Sequence, residues 1–271
     1  MKALFQLCPY RYRSVFISDV HLGYRGCKAE FLLDFLQSIE TEYLFLVGDI
    51  IDLWSMRKSM FWPQSHNNVV RRILDMAKQG TKVIFIPGNH DEDVREMSNM
   101  VFGNLEIYTE YVHQTADGRK VLLLHGDKFD VVIKCSRLMN LIGNMGYDLL
   151  LYGHRLLDRI RHRLGFSYWS LTSYLKSKVK NAMAHVTSFE IAVAQEASKR
   201  GMDVVICGHI HHAEIRQIKD VLYCNDGDWV EHCTALVEGQ DGSLELIHWS
   251  DQQRIVKNET NAYTTGIAKV A

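Results

Sequence analysis

The stretch Val83-Ile84-Phe85-Ile86-Pro87-Gly88-Asn89-His90-Asp91 changes character at Pro87: a β-branched and aromatic run gives way to two breakers and then three chemistry-bearing side chains. An apolar run without alternation is the pattern of a strand covered on both faces. Proline and glycine end it. Four more apolar runs likewise end in Asp or His, usually beside a glycine. Val15-Phe16-Ile17 leads to Asp19-Val20-His21, and Leu44-Phe45-Leu46-Val47 to Gly48-Asp49-Ile50-Ile51-Asp52. Val121-Leu122-Leu123-Leu124 leads to His125-Gly126-Asp127, and Val204-Val205-Ile206-Cys207 to Gly208-His209-Ile210-His211. Helical spacing over Ala29 to Ile39 and Asn67 to Lys78, the latter closed by Gly80, alternates with these strands and predicts a layered α/β sheet. Val221-Leu222-Tyr223 and Leu244-Glu245-Leu246-Ile247 are expected to form a β-meander closing that sheet, and residues 250–271 a flexible tail.

Composition narrows the class. With 47% hydrophobic and 23% charged residues the chain reads as globular, and 31 basic against 32 acidic residues argue against a wholesale nucleic-acid binder. The apolar runs fall well short of the roughly 18 residues of a membrane span, and the opening segment is too short for a secretory signal. Six cysteines without a CxxC pair suit buried thiols in a reducing cytosol. Residues 130–198 differ from the rest, with little strand signal and helical spacing. Arg155, Arg159, Arg161, Arg163, Lys176, Lys178 and Lys180 are interleaved there with Phe166, Tyr168, Trp169 and Tyr174. This predicts a basic helical insertion, or cap, within a single domain of residues 1–271.

In open α/β sheets the carboxyl ends of strands converge on the ligand site, so five such loops can meet. Carboxylate, carboxamide and imidazole donors suit first-row divalent ions such as Mn, Fe or Zn. A single Asp-x-His pair means little, and a lone histidine is more often a satisfied core residue. The five together, in order and each after a strand, carry the inference.

This ordered set resembles the hallmark of the calcineurin-like metallophosphoesterases over about residues 14–212, with the helical segment outside the shared core. The resemblance implies a layered β-sandwich flanked by helices. It implies two divalent ions, with Mn²⁺ expected and Fe or Zn as alternatives. Asp19, His21, Asp49 and His211 would hold one, and Asp49, Asn89, His125 and His209 the other, Asp49 bridging. Two ions about 3.5–4 Å apart lower the pKa of a shared water and clamp the attacking and leaving oxygens of a phosphoryl group. Asn89 and His90 are expected to meet the substrate phosphate, His90 offsetting charge on its oxygens or donating a proton to the leaving oxygen. Asp91 is expected to orient His90, or to cap the turn that follows. Asp52 and Asp127 are expected behind the ligands or as loop caps.

The segment Tyr223 to Glu231, the helical insertion and Gly208 to His211 are similar to the branch of UDP-2,3-diacylglucosamine pyrophosphohydrolases. That likeness implies a lipid-linked nucleotide diphosphate substrate cleaved to UMP and 2,3-diacylglucosamine 1-phosphate for lipid A. It also implies a peripheral position on the cytoplasmic face of the inner membrane; no nucleic-acid partner is expected, because the positive charge is confined to one segment and offers no stripe for a duplex. By placement, Lys176, Lys178 or Lys180 would contact the diphosphate, and Asp130 the sugar or amide. Many members of the branch carry arginine after the third-motif asparagine; this chain has His90, the wider family's residue. A soluble phosphodiesterase or phosphatase is therefore the alternative, and a non-catalytic scaffold of the same fold a third reading.

Overall fold

A computed structural model of the 271-residue chain describes residues 9–130 and 186–250. The described residues fall into two units, one of residues 9–127 and 196–250, the other of 128–130 and 186–195.

Two mixed sheets form the first unit. The larger has the order β12-β11-β1-β2-β3-β5-β4 and the smaller β6-β7-β8-β10-β9. In the larger, β1 (Tyr10–Ile17), β2 (Ile39–Leu46), β3 (Lys82–Phe85) and β5 (Leu105–Ile107) run parallel. The outer strands β4 (Val101–Phe102), β11 (Thr234–Glu238) and β12 (Leu244–His248) complete it by antiparallel pairing. In the smaller, β7 (Lys120–Leu123), β8 (Val204–Cys207) and β10 (Val221–Asn225) run parallel between β6 (Tyr111–Gln114) and β9 (Glu214–Ile218).

Strand alternation sorts the apolar runs into two layers. Phe16, Phe45, Val47, Ile84 and Ile86 turn toward the smaller sheet, meeting Val121, Leu123, Val204 and Ile206. Phe16 and Phe45 stack there with centroids 4.8 Å apart. Their neighbours Val15, Ile17, Leu44, Leu46, Val83 and Phe85 face the other way, packing with α1 (Ala29–Gln37) and α3 (Gln64–Lys78). Val69, Ile73, Met76 and Ala77 lie on the buried face of α3 at helical spacing. Covered on both faces, these strands need no alternation of polarity, which is why their sequences read as continuous runs. The result is a sandwich flanked by helices.

Two local expectations are corrected. α1 stops at Gln37, because Ile39 already pairs with Tyr10 as the first residue of β2. Val221–Tyr223 and Leu244–Ile247 form no common meander. The first lies in β10 of the smaller sheet, parallel to β8, and the second in β12 at the edge of the larger.

In the second unit a helix is described from residue 186, continuing into the first unit to residue 199. Most of the expected insertion, and residues 251–271 of the expected tail, lie outside the described residues. Among the described residues no helix is long and apolar enough to cross a membrane.

Candidate metal centre

Because β1, β2 and β3 run parallel in one sheet, and β7 and β8 in the other, the five motif loops leave at carboxyl ends and can be tied together. Backbone hydrogen bonds do so: Asp19 N–H donates to Gly48 C=O at 3.0 Å, His21 N–H to Asp49 C=O at 2.9 Å, and Gly208 N–H to His125 C=O at 3.2 Å. Asp19, His21, Asp49, His209 and His211 all adopt positive φ, between 50° and 70°. Non-glycine residues rarely take this left-handed conformation, and here it aims their side chains into one space.

Three-residue groups with ligand atoms within 4.8 Å of one another form there: Asp19, His21 and His211; Asp49, His125 and His209. A third, of His21, Asp49 and His90, lies between them. His211 Nε2 is 3.2 Å from Asp19 Oδ1, His125 Nε2 is 3.3 Å from Asp49 Oδ2, and His21 Nε2 is 3.9 Å from both Asp19 Oδ1 and Asp49 Oδ2. Asn89 presents a buried Oδ1.

The donor set fits divalent cations on an observation independent of the motif. Asp19 Oδ1, His21 Nε2, Asn89 Oδ1 and His125 Nε2 are buried and make no hydrogen bond. Buried polar atoms are almost always paired, and three such atoms within the ligand groups, those of Asp19, His21 and His125, call for another partner. The electrostatics agree. Burial pushes the Asp19 carboxyl up, but the imidazoles of His211, His125 and His21 outweigh it and hold it well below the usual range. Burial would lower His125, yet Asp49 and Asp19 raise it well above the ordinary imidazole value. The pocket attracts positive charge.

Glycine makes this crowding possible. A Cβ on Gly88 would sit 2.3 Å from Asp49 Oδ1 and 2.7 Å from His125 Nε2. One on Gly48, whose φ is +89°, would sit 2.2 Å from His125 Nδ1.

The surrounding polar groups fix ring orientation. His125 Nδ1 donates to Val47 C=O at 2.9 Å, leaving Nε2 for the pocket. Asp52 caps α2 (Leu53–Lys58) by accepting from Ser55 N–H at 2.7 Å. Its Oδ1 also accepts from His90 Nδ1 at 3.0 Å, and its Oδ2 lies 3.3 Å from His21 Nδ1. His90 is half-buried against Trp54, ring centroids 4.5 Å apart.

Asp91 departs from expectation. It neither orients His90 nor makes a side-chain cap on the 3₁₀ helix Glu92–Met97. Its carboxylate turns inward, accepting from the N–H groups of Gly88 at 2.6 Å, Ile50 at 2.8 Å, Ile51 at 3.2 Å and Asp49 at 3.3 Å. It ties the second motif loop to the third and leaves His90 to Asp52. Asp127 pairs with Arg95 at 2.8 Å. Asp130 is half-buried and belongs to the second unit, while Lys176, Lys178 and Lys180 lie outside the described residues.

A sixth loop was not assigned to the centre from sequence. After β10, buried Asp226 accepts from Ser18 Oγ at 2.5 Å, and Ser18 Oγ lies 2.6 Å from Asp19 Oδ2. Asn225-Asp226-Gly227-Asp228 behind a strand was the available signal.

The family model for calcineurin-like phosphoesterases matches residues 12–213. The chain belongs to that family. This phosphoesterase is 25% identical over 243 residues to UDP-2,3-diacylglucosamine hydrolase of Haemophilus influenzae strain PittGG, covering 83% of this chain and 94% of that one. To the protein of the same name in Aliivibrio fischeri strain MJ11 it is 27% identical over 226 residues, covering 79% and 90%. A phosphoesterase from E. coli superimposes with a TM-score of 0.42 at 15% identity, covering 87% and 98%. Calcineurin-like phosphoesterases bind divalent metals, and the phosphoesterase's grouped aspartates and histidines are candidates for that role.

Proposed function

We propose that this enzyme uses two divalent ions, Mn²⁺ by preference, to hydrolyse UDP-2,3-diacylglucosamine to UMP and 2,3-diacylglucosamine 1-phosphate. The observation that carries the chemistry is the grouping of Asp19, His21 and His211 beside Asp49, His125 and His209, with Asp19 Oδ1, His21 Nε2 and His125 Nε2 buried and without hydrogen bonds; Asn89 joins the second set by its place in the motif. The substrate rests on relatives named for that hydrolysis, aligned over 90% or more of their own length.

Asp49 reaches toward both ligand groups, so it is the bridging carboxylate of this proposal. When bound, the ions supply Lewis acidity toward the phosphoryl oxygens and a water acidic enough to attack near neutral pH. With Nδ1 held by Asp52, His90 has Nε2 free to meet a phosphoryl oxygen or give its proton to the leaving oxygen. Asp91 holds the backbone that carries Asp49. An acylated substrate brings the enzyme to the cytoplasmic face of the inner membrane, and Asp130, Lys176, Lys178 and Lys180 remain assigned to substrate contacts by placement alone.

One observation favours a second reading. His90 stands where many members of the branch carry arginine, which suits a phosphodiesterase of water-soluble esters. Release of UMP from the diacylated UDP-sugar in detergent micelles with Mn²⁺ separates the two. Turnover there supports the lipid substrate. Its absence beside robust turnover of bis(p-nitrophenyl) phosphate rejects it and keeps the reaction class.

A further inference from the structure

We propose that Arg95 is a positioning residue that sets the gap between Asn89 and His125 and thereby the affinity of the second metal position. The proposal rests on the dinuclear reading of the centre. Asn89 follows β3 in the larger sheet, and His125 follows β7 in the smaller. No ladder joins these strands, so strand pairing does not fix the distance between the two ligands.

Arg95 spans that seam. From the 3₁₀ helix Glu92–Met97 its Nη2 donates to Asp127 Oδ1 at 2.8 Å and to Pro87 C=O at 3.2 Å, and its Nε lies 3.4 Å from the same carbonyl. Pro87 stands two residues before Asn89, and Asp127 two residues after His125. One planar guanidinium therefore grips both ligand-bearing loops just outside the pocket. The grip matters because Gly88 backs so closely on His125, and because Asn89 Oδ1 and His125 Nε2 are both buried without a hydrogen bond.

The first position is held differently. Ser18 Oγ lies between Asp19 and Asp226, and Asp52 Oδ2 lies 3.3 Å from His21 Nδ1. Arg95 contacts neither. Loosening it should therefore act on one ion and spare the other, which a general loss of stability would not do.

Calorimetric titration of metal-stripped protein with Mn²⁺ tests this directly. Wild type should take up two ions. Arg95→Leu should bind the first with unchanged affinity and the second about 10- to 100-fold more weakly, the usual effect of losing a group behind a ligand. Asp127→Asn should shift the second ion in the same direction, and Arg95→Lys should recover part of the loss through a single point contact. These two milder variants decide the matter if Arg95→Leu does not fold. Equal weakening of both ions, or of neither, overturns the role of Arg95. Uptake of a single ion by wild type overturns the dinuclear reading and this proposal with it.

Discussion

Asp52 and His90, 38 positions apart, are joined at 3.0 Å, and the same carboxylate lies 3.3 Å from His21. One buried side chain thus governs the orientation of a candidate ligand and of the histidine proposed to meet the substrate. Asp52→Asn keeps the shape and the helix cap, but presents an amide N–H₂ to one of two imidazole N–H groups. The expected result is a fall in kcat of about 10- to 100-fold on bis(p-nitrophenyl) phosphate with an almost unchanged Tm. An unaltered kcat would show that His90 orients itself.

Gly88→Ala should empty the centre without unfolding the protein. The added methyl would meet Asp49 Oδ1 and His125 Nε2, and Gly88 needs no left-handed backbone, so the effect is steric. Elemental analysis should find Mn content after dialysis sharply reduced beside a native circular dichroism spectrum. Full metal content would contradict the packing described.

Mn²⁺ should raise the Tm, because an ion held by the folded pocket has little affinity for the dispersed ligands. At 100 times the dissociation constant one site contributes about 2.7 kcal/mol. Thermal unfolding with and without chelator measures it, and Asp49→Ala, which removes the carboxylate common to both groups, should abolish the increment.

Acid should loosen the sandwich through Glu238, away from the centre. Burial alone would raise this carboxyl, but His113, Ser14, the Ala116 N–H and Arg13 outweigh it and bring it from 4.5 down to about 2. A carboxyl depressed in the folded state stabilises above its unfolded value and loses that contribution as pH falls toward the folded one. Urea midpoints should therefore decline between about pH 4.5 and about pH 2, and Glu238→Gln should flatten that part of the curve. Parallel declines in both proteins would assign the loss to other carboxylates.

The strands and their motif loops were legible because burial on both faces writes itself into consecutive residues such as Val83 to Ile86, and glycine marks where they stop. Pairing was not. Whether Val221–Tyr223 joins Val204–Cys207 or Leu244–Ile247 depends on contacts between distant segments, which local pattern does not encode. The same limit misplaced the partner of His90. Asp91 is its neighbour in sequence, but the chain turns that carboxylate toward the amides of residues 49–51, and Asp52 arrives from the loop that follows β2. Arg95 and Ser18 carried no signal at all, since their roles exist only once two loops lie side by side.

The left-handed backbone at Asp19, His21, Asp49, His209 and His211 has an evolutionary corollary. Each such residue carries strain of order 1–3 kcal/mol that glycine would relieve. Drift toward inactivity is thus thermodynamically downhill for this architecture: a lineage released from selection for catalysis would gain robustness by discarding its ligands. Glycine at any one of the five should relax the backbone and remove a candidate donor in the same step.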